Sequence, residues 1–487
     1  MLHKQQTCPL YNQLRSHALK SPISYHVPGH KNGAVFSRKE DHFFKSILPI
    51  DVTELTGLDD LHDPSESIKE AEDLAASLYE VKHTFFLVNG STVGNLAAIL
   101  ATCSEGDKVL VQRDSHKSII NGLKLSDADP IFLAPAVDED LSLTLGVPSE
   151  TVCRAIKQYP NAKALILTNP NYYGVSRDLS EVVRVAHNYN IPVIVDEAHG
   201  AHFAIGHPFP ISAIQAGADI VIHSAHKTLP AMTMGSYLHI QGDLISKEQV
   251  GKYLSILQSS SPSYPIMASL DIARAYLYEM AQNDRKALLV KQISNFREQI
   301  SKIDGLTVVE YKDKRVEIDL LKVTIMPSFC TGYELQQKLE EVGIYTELAT
   351  TQHVLFVLPL AAEFRWEETI EKIEKIVSPY QELPHDFSSA PLSFKFSNSQ
   401  LGISYKKQSI FTKTSLPLTM TVGRIAAESV IPYPPGIPVL MEGEIITNDH
   451  IEYIEEILST EVKLQGSATS LERRLISVFE DERELTP

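Results

Sequence analysis

Short apolar, β-branched runs alternate with stretches of helical periodicity between residues 84 and 240. Runs that are apolar at nearly every position and are separated by helices are typical of strands buried on both faces of a mostly parallel sheet. The pattern therefore predicts an α/β core of seven strands. These strands are predicted at residues 84–88, 108–112, 130–133, 164–167, 192–195, 219–222 and 236–240. The helices of the core are predicted at residues 93–103, 149–158, 179–188 and from 271 onwards.

Beyond this core the pattern indicates a smaller α+β domain. A long helix over residues 286–303 precedes strands at 306–310, 316–325 and 353–359, with helices at 332–342 and 366–377. Residues 378–399 are rich in proline and serine and form a candidate linker. Amphipathic spacing predicts helices over residues 451–458 and 471–479. We expect an N-terminal segment (1–50), a large domain (51–300), a small α+β domain (301–380) and a C-terminal α+β domain (395–487).

Charge and cysteine usage narrow the function classes. The 487 residues include 44 Lys+Arg and 61 Asp+Glu, for a formal net charge of −17. An acidic protein repels phosphate backbones and anionic lipid, so we expect neither nucleic acid nor a membrane as partner. The four cysteines are far apart and no secretory signal precedes them, which favours reduced thiols and a cytoplasmic location. Chemistry on a small molecule is the expected function.

Polar residues of the kinds used in catalysis follow five of the seven predicted strands. In an open α/β sheet, ligands bind beyond the carboxyl ends of the strands, where loops hold polar groups in a rigid frame. The segments at these ends are NGST (89–92), RDSHKS (113–118), TNP (168–170), DEAH (196–199) and HSAHK (223–227).

Three of these strand ends fit the chemical groups of pyridoxal 5′-phosphate (PLP). Gly90, Ser91 and Thr92 follow a strand and begin a helix, so that hydroxyl and backbone N–H groups can face a phosphate. Asp196 can keep a pyridine nitrogen protonated, and Lys227 at the next strand end can bind the cofactor covalently. Taken singly, these residues are more often a helix cap, a turn carboxylate and a solvated lysine. Their order along the sheet favours a PLP site.

Other cofactors fit the sequence less well. It has no G-x-G-x-x-G after a strand and no G-x-x-x-x-G-K-[ST], the motifs of dinucleotide and P-loop sites. The pairs His199/His202 and His223/His226 suggest a metal site, but no HExxH motif and no nearby cysteine accompany them. We expect no metal ion.

The sequence resembles the bacterial PLP-dependent ornithine/lysine/arginine decarboxylases over nearly its whole length. The motifs that carry the resemblance are HVPGHK (26–31), DVTEL (51–55), LDDLH (58–62), NGST (89–92), HKS (116–118), TNP (168–170), YYG (172–174), DEAHGAH (196–202), SAHK (224–227), SSSPSY (259–264), GR (423–424) and YPPGIP (433–438). The resemblance implies the fold of the aspartate aminotransferase type (fold type I), PLP as cofactor, and decarboxylation of a basic amino acid in polyamine synthesis. It also implies that residues 395–487 are the C-terminal domain of this family.

The resemblance implies a role for each matched residue. Lys227 would carry the cofactor, Asp196 would pair with the pyridine nitrogen, and His116 and Ala198 would cover the two ring faces. Thr168 and His199 are further expected cofactor contacts, although some relatives have Trp in place of His199. The expected phosphate ligands are Gly90, Ser91, Thr92, Ser224, His226 and, from the partner subunit of a homodimer, Ser259. The chain resembles a short form without the N-terminal wing domain of the larger family members.

The substrate and the reaction are less closely defined. A basic side chain needs a carboxylate partner, for which Glu54, Asp59 and Asp60 are candidates. Alternatively, this acidic loop is a capping or interface element. Arg424 is a candidate for binding the substrate carboxylate, and His226 or Lys227 for returning the proton to Cα.

Arginine, lysine and ornithine remain equivalent at this level, since each presents one cation on a chain of similar reach. The same strand-end residues would serve a PLP-dependent aminotransferase or aldolase. A PLP-binding transcription regulator is disfavoured, because the chain has no basic helix-turn-helix extension.

Overall fold

The computed structural model describes residues 2–35, 44–380, 398–433, 438–459, 463–466, 471 and 473–480. The chain divides into two compact units, each built from two separate segments. Unit 1 comprises Met1–Thr102 and Pro192–Ala287, and unit 2 comprises Cys103–Ile191 and Leu288–Pro487. Among the described residues, no helix combines the length and the apolar character that crossing a membrane requires.

The helices of the described chain are labelled α1 to α14. They are α1 (Pro9–Leu19), α2 (Ser67–Tyr79), α3 (Gly90–Thr102), α4 (Lys117–Ser126), α5 (Ser149–Gln158), α6 (Ser180–His187), α7 (Ala225–Thr228), α8 (Lys247–Leu257), α9 (Tyr264–Met280), α10 (Asn283–Ser301), α11 (Gly332–Glu341), α12 (Trp366–Val377), α13 (Tyr405–Gln408) and α14 (Asn448–Leu458). Short 3-10 helices lie at Leu2–Gln6, Leu48–Ile50, Phe203–Ile205, Ser378–Tyr380 and Leu418–Met420.

The strands of the described chain are labelled β1 to β20. They are β1 (His83–Leu87), β2 (Lys108–Gln112), β3 (Asp129–Leu133), β4 (Val137–Asp138), β5 (Leu143–Thr144), β6 (Ala164–Thr168), β7 (Val175–Ser176), β8 (Val193–Asp196), β9 (Ile220–His223), β10 (Ser236–Ile240), β11 (Leu306–Val308), β12 (Glu317–Ile318), β13 (Lys322–Pro327), β14 (Leu348–Ala349), β15 (Val354–Val357), β16 (Ser399–Gln400), β17 (Lys413–Pro417), β18 (Val430–Tyr433), β19 (Lys463–Gly466) and β20 (Leu475–Phe479).

Unit 1 holds strands in the order β1-β10-β9-β8. Strands β8 and β9 are parallel, with Asp196 opposite Ile222, and β10 is antiparallel to both β9 and β1. Helix α3 packs closely on these strands, because a Cβ at Gly94 would lie 2.8 Å from Leu87 and 3.1 Å from Ile222. The parallel pair brings the carboxyl ends of β8 and β9 to one edge.

Unit 2 holds strands in the order β6-β2-β3-β16, with β2 parallel to both β3 and β6. A second, antiparallel sheet has the order β11-β13-β15-β14. The C-terminal residues pair as β17 with β20 and β18 with β19, around buried residues that include Val430, Ile454 and Val478. Unit 2 therefore contains parallel α/β structure as well as α+β structure.

All seven predicted core strands are present, with ends that differ from the prediction by one residue at most. One of them, β10, is antiparallel to its neighbours, so the strands of the core are mixed in direction. The prediction of an α/β protein with mostly parallel strands and a smaller α+β part is confirmed. The helix predicted from residue 271 begins earlier, at Tyr264, where Ser263 caps it by accepting a hydrogen bond from the Ile266 N–H.

Two predicted elements are wrong. The helix expected over residues 471–479 is replaced by strand β20, which pairs with β17 and buries Ile476 and Val478 on one face. The single strand expected over residues 316–325 is two strands, β12 and β13, because a turn separates them in which Asp319 accepts a hydrogen bond from the Leu321 N–H. In both cases pairing with a distant strand decides the outcome.

The candidate linker over residues 378–399 is only partly described. Its first three residues form a 3-10 helix, and residues 381–397 lie outside the described residues. Its last residue, Ser399, belongs to β16, which pairs with β3. That end of the proposed linker is therefore the start of a strand.

Candidate active site

Lys227 lies just beyond β9, on the one-turn helix α7, whose N-cap is Ser224. Its side-chain Nζ lies 3.0 Å from Nε2 of His199, which belongs to the loop that follows β8. His199 is buried and Lys227 is half-buried. The structure thus brings the predicted lysine and the predicted cofactor contact His199 together at the edge where β8 and β9 end.

Asp196 is the last residue of β8 and is only 3% exposed. One carboxylate oxygen accepts a hydrogen bond from Nδ2 of Asn95 at 2.8 Å, and the other accepts one from the Ala198 N–H at 3.2 Å. Two donors of fixed direction orient the carboxylate and stabilise its charge.

Asn95 is missing from the sequence-based set of site residues. It is fully buried on α3, on the same helix as the NGST segment. The available signal is a polar residue inside the apolar run VGNLAAIL, since a buried amide needs a hydrogen-bond partner. The sequence does not identify that partner, which is separated from Asn95 by 101 residues.

Two hydroxyl groups lie together at the start of α3. Oγ of Ser224 donates to Oγ of Ser91 at 2.7 Å. Gly90 begins the helix with φ +77°, and no heavy atom lies within 4 Å of the position that a Cβ would take there. Thr92 is exposed in the same turn. The first N–H groups of a helix have no acceptor within the helix, so this turn can bind an anion.

His226 is oriented by the backbone of residue 235. Its ring Nδ1 lies 3.1 Å from the Gly235 carbonyl oxygen, and its own N–H donates to the same oxygen at 3.2 Å. Burial lowers the pKa of His226, and the charge of Lys227 lowers it further. Because Nδ1 must carry the proton to donate to a carbonyl, the neutral ring has Nε2 as an acceptor.

His116 and Thr168 belong to unit 2. His116 is exposed and caps α4, where its Nδ1 accepts a hydrogen bond from the Ser118 N–H at 3.2 Å. Thr168 ends β6, and its hydroxyl donates to Oγ of Ser115 at 3.3 Å. Because Nδ1 of His116 accepts a hydrogen bond, the proton of the neutral ring is on Nε2.

The acidic loop contains carboxylates in different surroundings. Asp59 accepts hydrogen bonds from the backbone N–H groups of residues 60, 65, 66, 68 and 69, which include the first turn of α2. Burial raises the pKa of Asp59, but these donors outweigh it and hold the pKa below its ordinary value. Asp59 has the geometry of a helix cap, the alternative considered for this loop.

Glu54 differs from Asp59. Its Oε1 is buried and has no hydrogen-bond partner among the described residues, while Oε2 accepts a hydrogen bond from the Thr53 hydroxyl. Asp60 accepts a hydrogen bond from the His62 N–H at 2.8 Å. A buried carboxylate oxygen without a donor favours binding a cation.

The remaining predicted residues lie apart from these groups along the chain. Ser259 is exposed, and its carbonyl oxygen lies 3.0 Å from Nε2 of His62. Arg424 is half-buried in unit 2, where its carbonyl oxygen accepts a hydrogen bond from the Ile446 N–H at 2.9 Å. Residues 434–437 of the YPPGIP motif lie outside the described residues.

Comparison with known proteins matches this chain to models of one protein family. The family model "Orn/Lys/Arg decarboxylase, major domain" matches residues 8–323, and the C-terminal domain model of the same family matches residues 405–472. A Bacillus subtilis relative named "Uncharacterized protein YaaO" is 45% identical over 98% of this chain and 99% of its own length. A Bacillus subtilis arginine decarboxylase is 34% identical over 96% of each chain.

A solved structure shows the same fold. The lysine decarboxylase LdcF of Francisella novicida matches with a TM-score of 0.80 at 20% identity, over 97% of this chain and 81% of that one. The fold is thus that of the PLP-dependent enzymes of fold type I. With two matching family models and full-length relatives, the chain belongs to the Orn/Lys/Arg decarboxylase family.

Proposed function

We propose that this protein is a PLP-dependent decarboxylase of a basic amino acid, and that arginine is the first substrate to test. The observation that carries the proposal is the pairing of Lys227 with His199 at one strand end and of Asp196 with Asn95 at the next. Arginine comes first because full-length relatives at 32–34% identity are named arginine decarboxylase.

The residues of unit 1 fit the three chemical parts of PLP. A buried carboxylate that accepts two hydrogen bonds suits a protonated pyridine nitrogen, and we propose Asp196 as the partner of that nitrogen. The hydroxyls of Ser91 and Ser224, together with the open turn at Gly90, suit a phosphate. The amine of Lys227 suits the aldehyde carbon. His116, Thr168, Ala198, His199 and Ser259 remain proposed cofactor contacts.

When bound, PLP supplies a sink for the electrons that remain on Cα after carbon dioxide leaves. The protein supplies a negative charge near the ring nitrogen and a proton for Cα. The Asp196 carboxylate stabilises positive charge on the ring nitrogen, and Asn95 keeps that carboxylate in place. Of the two candidate proton donors, Lys227 is favoured, because His226 has its neutral-ring proton on Nδ1, facing the Gly235 carbonyl.

The cationic end of the substrate is proposed to bind Glu54, with Asp60 as a second carboxylate. Burial raises the pKa of Tyr264, and the charges of Glu54, Asp60 and Asp59 raise it further, so these carboxylates form one negative region. Within it, Oε1 of Glu54 is buried without a donor. A guanidinium or ammonium group would supply the missing donor. Arg424 remains the proposed partner of the substrate carboxylate.

We also propose a cytoplasmic homodimer. In this homodimer the exposed Ser259 would contribute to the active site of the second copy. The four cysteines are unpaired in this structure, as thiols in a reducing compartment are.

Product analysis by mass spectrometry tests the reaction. Purified protein with PLP is incubated separately with arginine, lysine and ornithine, and Lys227→Ala serves as the control. We expect agmatine, cadaverine or putrescine only with the intact lysine. A keto acid or an aldehyde instead would identify an aminotransferase or an aldolase and contradict the proposal.

The Michaelis constant tests the cation site. We expect Glu54→Gln to raise the KM for the basic substrate by about tenfold or more, since one charge-assisted hydrogen bond is lost. Asp63→Asn is the matched control, because Asp63 is an exposed carboxylate of the same loop. Equal KM values in the two variants would rule out Glu54 as the cation partner.

A further inference from the structure

A row of hydrogen-bonded side chains crosses four strands of unit 1 next to the proposed cofactor site. It begins at Glu197, which is fully buried and directly follows Asp196. The Glu197 carboxylate accepts hydrogen bonds from the Ser212 hydroxyl at 2.6 Å and the Ala213 N–H at 2.7 Å, and Nε2 of His223 lies 2.7 Å from it. A buried carboxylate with three donors is a rigid anchor.

The row continues from His223 through His239 to Thr84. Nδ1 of His223 lies 3.1 Å from Nε2 of His239, whose Nδ1 lies 2.9 Å from the Thr84 hydroxyl. Burial, with a further contribution from His223, holds the pKa of His239 well below its ordinary value, so His239 is neutral. The Glu197 carboxylate can only accept, so Nε2 of His223 donates to it.

Strand geometry separates this row from the proposed cofactor ligands. In β8 and β9, Asp196 pairs with Ile222, so the next residues, Glu197 and His223, lie side by side. Successive side chains along a strand point to opposite faces. Glu197 and His223 therefore occupy one face, while their chain neighbours Asp196 and Ser224 face the other.

We propose that the Glu197–His223 pair is a positioning pair that sets the distance between the two ends of the cofactor site. Each member is the chain neighbour of one ligand: Glu197 adjoins Asp196, the proposed partner of the ring nitrogen, and His223 adjoins Ser224, a proposed phosphate ligand. The inference rests on the proposed PLP site. It assigns a positioning role to a buried hydrogen bond that the reaction itself does not use.

The physical basis is the gain from binding one ligand at two points. When the first end is bound, the second binds as if at high local concentration, but only if the spacing of the two sites matches the ligand. Sites are sensitive to such spacing: misplacing a reacting group by about 1 Å can lower the reaction rate about a hundredfold. The pair should therefore matter for PLP, which has both ends, and little for pyridoxal, which lacks the phosphate.

Glu197→Gln removes the carboxylate charge of the pair with little change of shape. The Ala213 N–H requires an oxygen at the position of Oε1, so the new amide NH₂ takes the position of Oε2 and replaces the acceptor that faces Nε2 of His223. His223→Leu removes the same contact from the other side. Ser212→Ala is the matched control, because it removes a donor to Glu197 and leaves His223 in place.

The experiment measures the Kd of PLP and of pyridoxal for the apo-protein by absorbance titration, with apo-protein thermal unfolding recorded for each variant. We expect the ratio of the two dissociation constants, pyridoxal over PLP, to fall by about tenfold in Glu197→Gln and His223→Leu. The Kd of pyridoxal should change by no more than about threefold, and Ser212→Ala should keep the ratio of the wild type.

Three results would overturn the inference. An unchanged ratio in folded Glu197→Gln, whether both dissociation constants are unchanged or both rise equally, would show that the pair does not set the spacing, whether or not His223→Leu folds. An equal fall of the ratio in Ser212→Ala would show general damage to the site. If the wild-type protein binds no PLP at all, the proposed function fails and the inference fails with it, a result distinguishable from the other two.

Discussion

The hydrogen bond from Asn95 to Asp196 gives the sharpest test of how the site is built. Both side chains are buried, and the donor and acceptor atoms are 2.8 Å apart. Asn95→Leu keeps the approximate size of the side chain and removes the donor. A hydrogen bond to a charged group is worth about 1.5–3 kcal/mol, against about 0.5–1.5 kcal/mol for a neutral pair. We expect the variant apo-protein to lose about 1.5–3 kcal/mol of unfolding free energy.

A double-mutant cycle isolates this bond from the other effects of the substitution. In the Asp196→Asn background the acceptor is neutral, so Asn95→Leu should cost about 1–1.5 kcal/mol less than in the wild type. Thr102→Val is the control on the same helix, because its hydroxyl donates to the Ala98 carbonyl at 2.8 Å, far along α3 from Asn95. Thr102→Val should lower the unfolding free energy by the same amount in both backgrounds.

Urea denaturation of the apo-protein, followed by circular dichroism, supplies the four free energies of the cycle. Asn95→Leu should also lower kcat/KM, because the Asp196 carboxylate loses a donor that orients it, whereas Thr102→Val should not. An equal cost of Asn95→Leu in both backgrounds would refute the reasoning, since it would mean that the amide does not stabilise the charge of Asp196.

Two further predictions concern buried ionisable groups to which no role in the proposed reaction is assigned. Arg113 and Glu444 form a buried two-point ion pair in unit 2, with both N···O distances 2.7 Å, so Arg113→Met should lower the unfolding free energy by about 3–5 kcal/mol. Adding Glu444→Leu should recover most of the loss in urea denaturation, and no recovery would show that the charge of Glu444 is not the cause. Burial raises the pKa of Glu72 from 4.5 to about 8, although the hydrogen bond that Glu72 accepts from the Phe86 N–H acts in the opposite direction. The stability that this raised pKa contributes is complete below pH 4.5 and is lost as the pH rises through 8. The melting temperature of Glu72→Gln should therefore rise relative to that of the wild type over this pH range. Parallel melting curves would contradict this.

The core strands and the strand-end residues could be predicted from the sequence, because both are local. A strand such as residues 108–112 is apolar at consecutive positions and the polar groups follow it directly, so neighbouring residues carry the whole signal. The order of NGST, Asp196 and Lys227 along the chain, with the matched motifs, was enough to indicate the family. The two family models later confirmed that assignment.

Tertiary structure decided the partners of these residues. The amide of Asn95 meets Asp196 from 101 residues away, and the imidazoles of His223 and His239 meet because antiparallel strands bring them together. Strand β20 replaced a predicted helix for the same reason, since its edge is satisfied by β17. Periodicity describes which face of an element is apolar, whereas hydrogen bonds between distant segments depend on how the faces are packed. The sequence alone therefore indicated the family and the candidate site residues, and only packing decided what holds each of these residues in place.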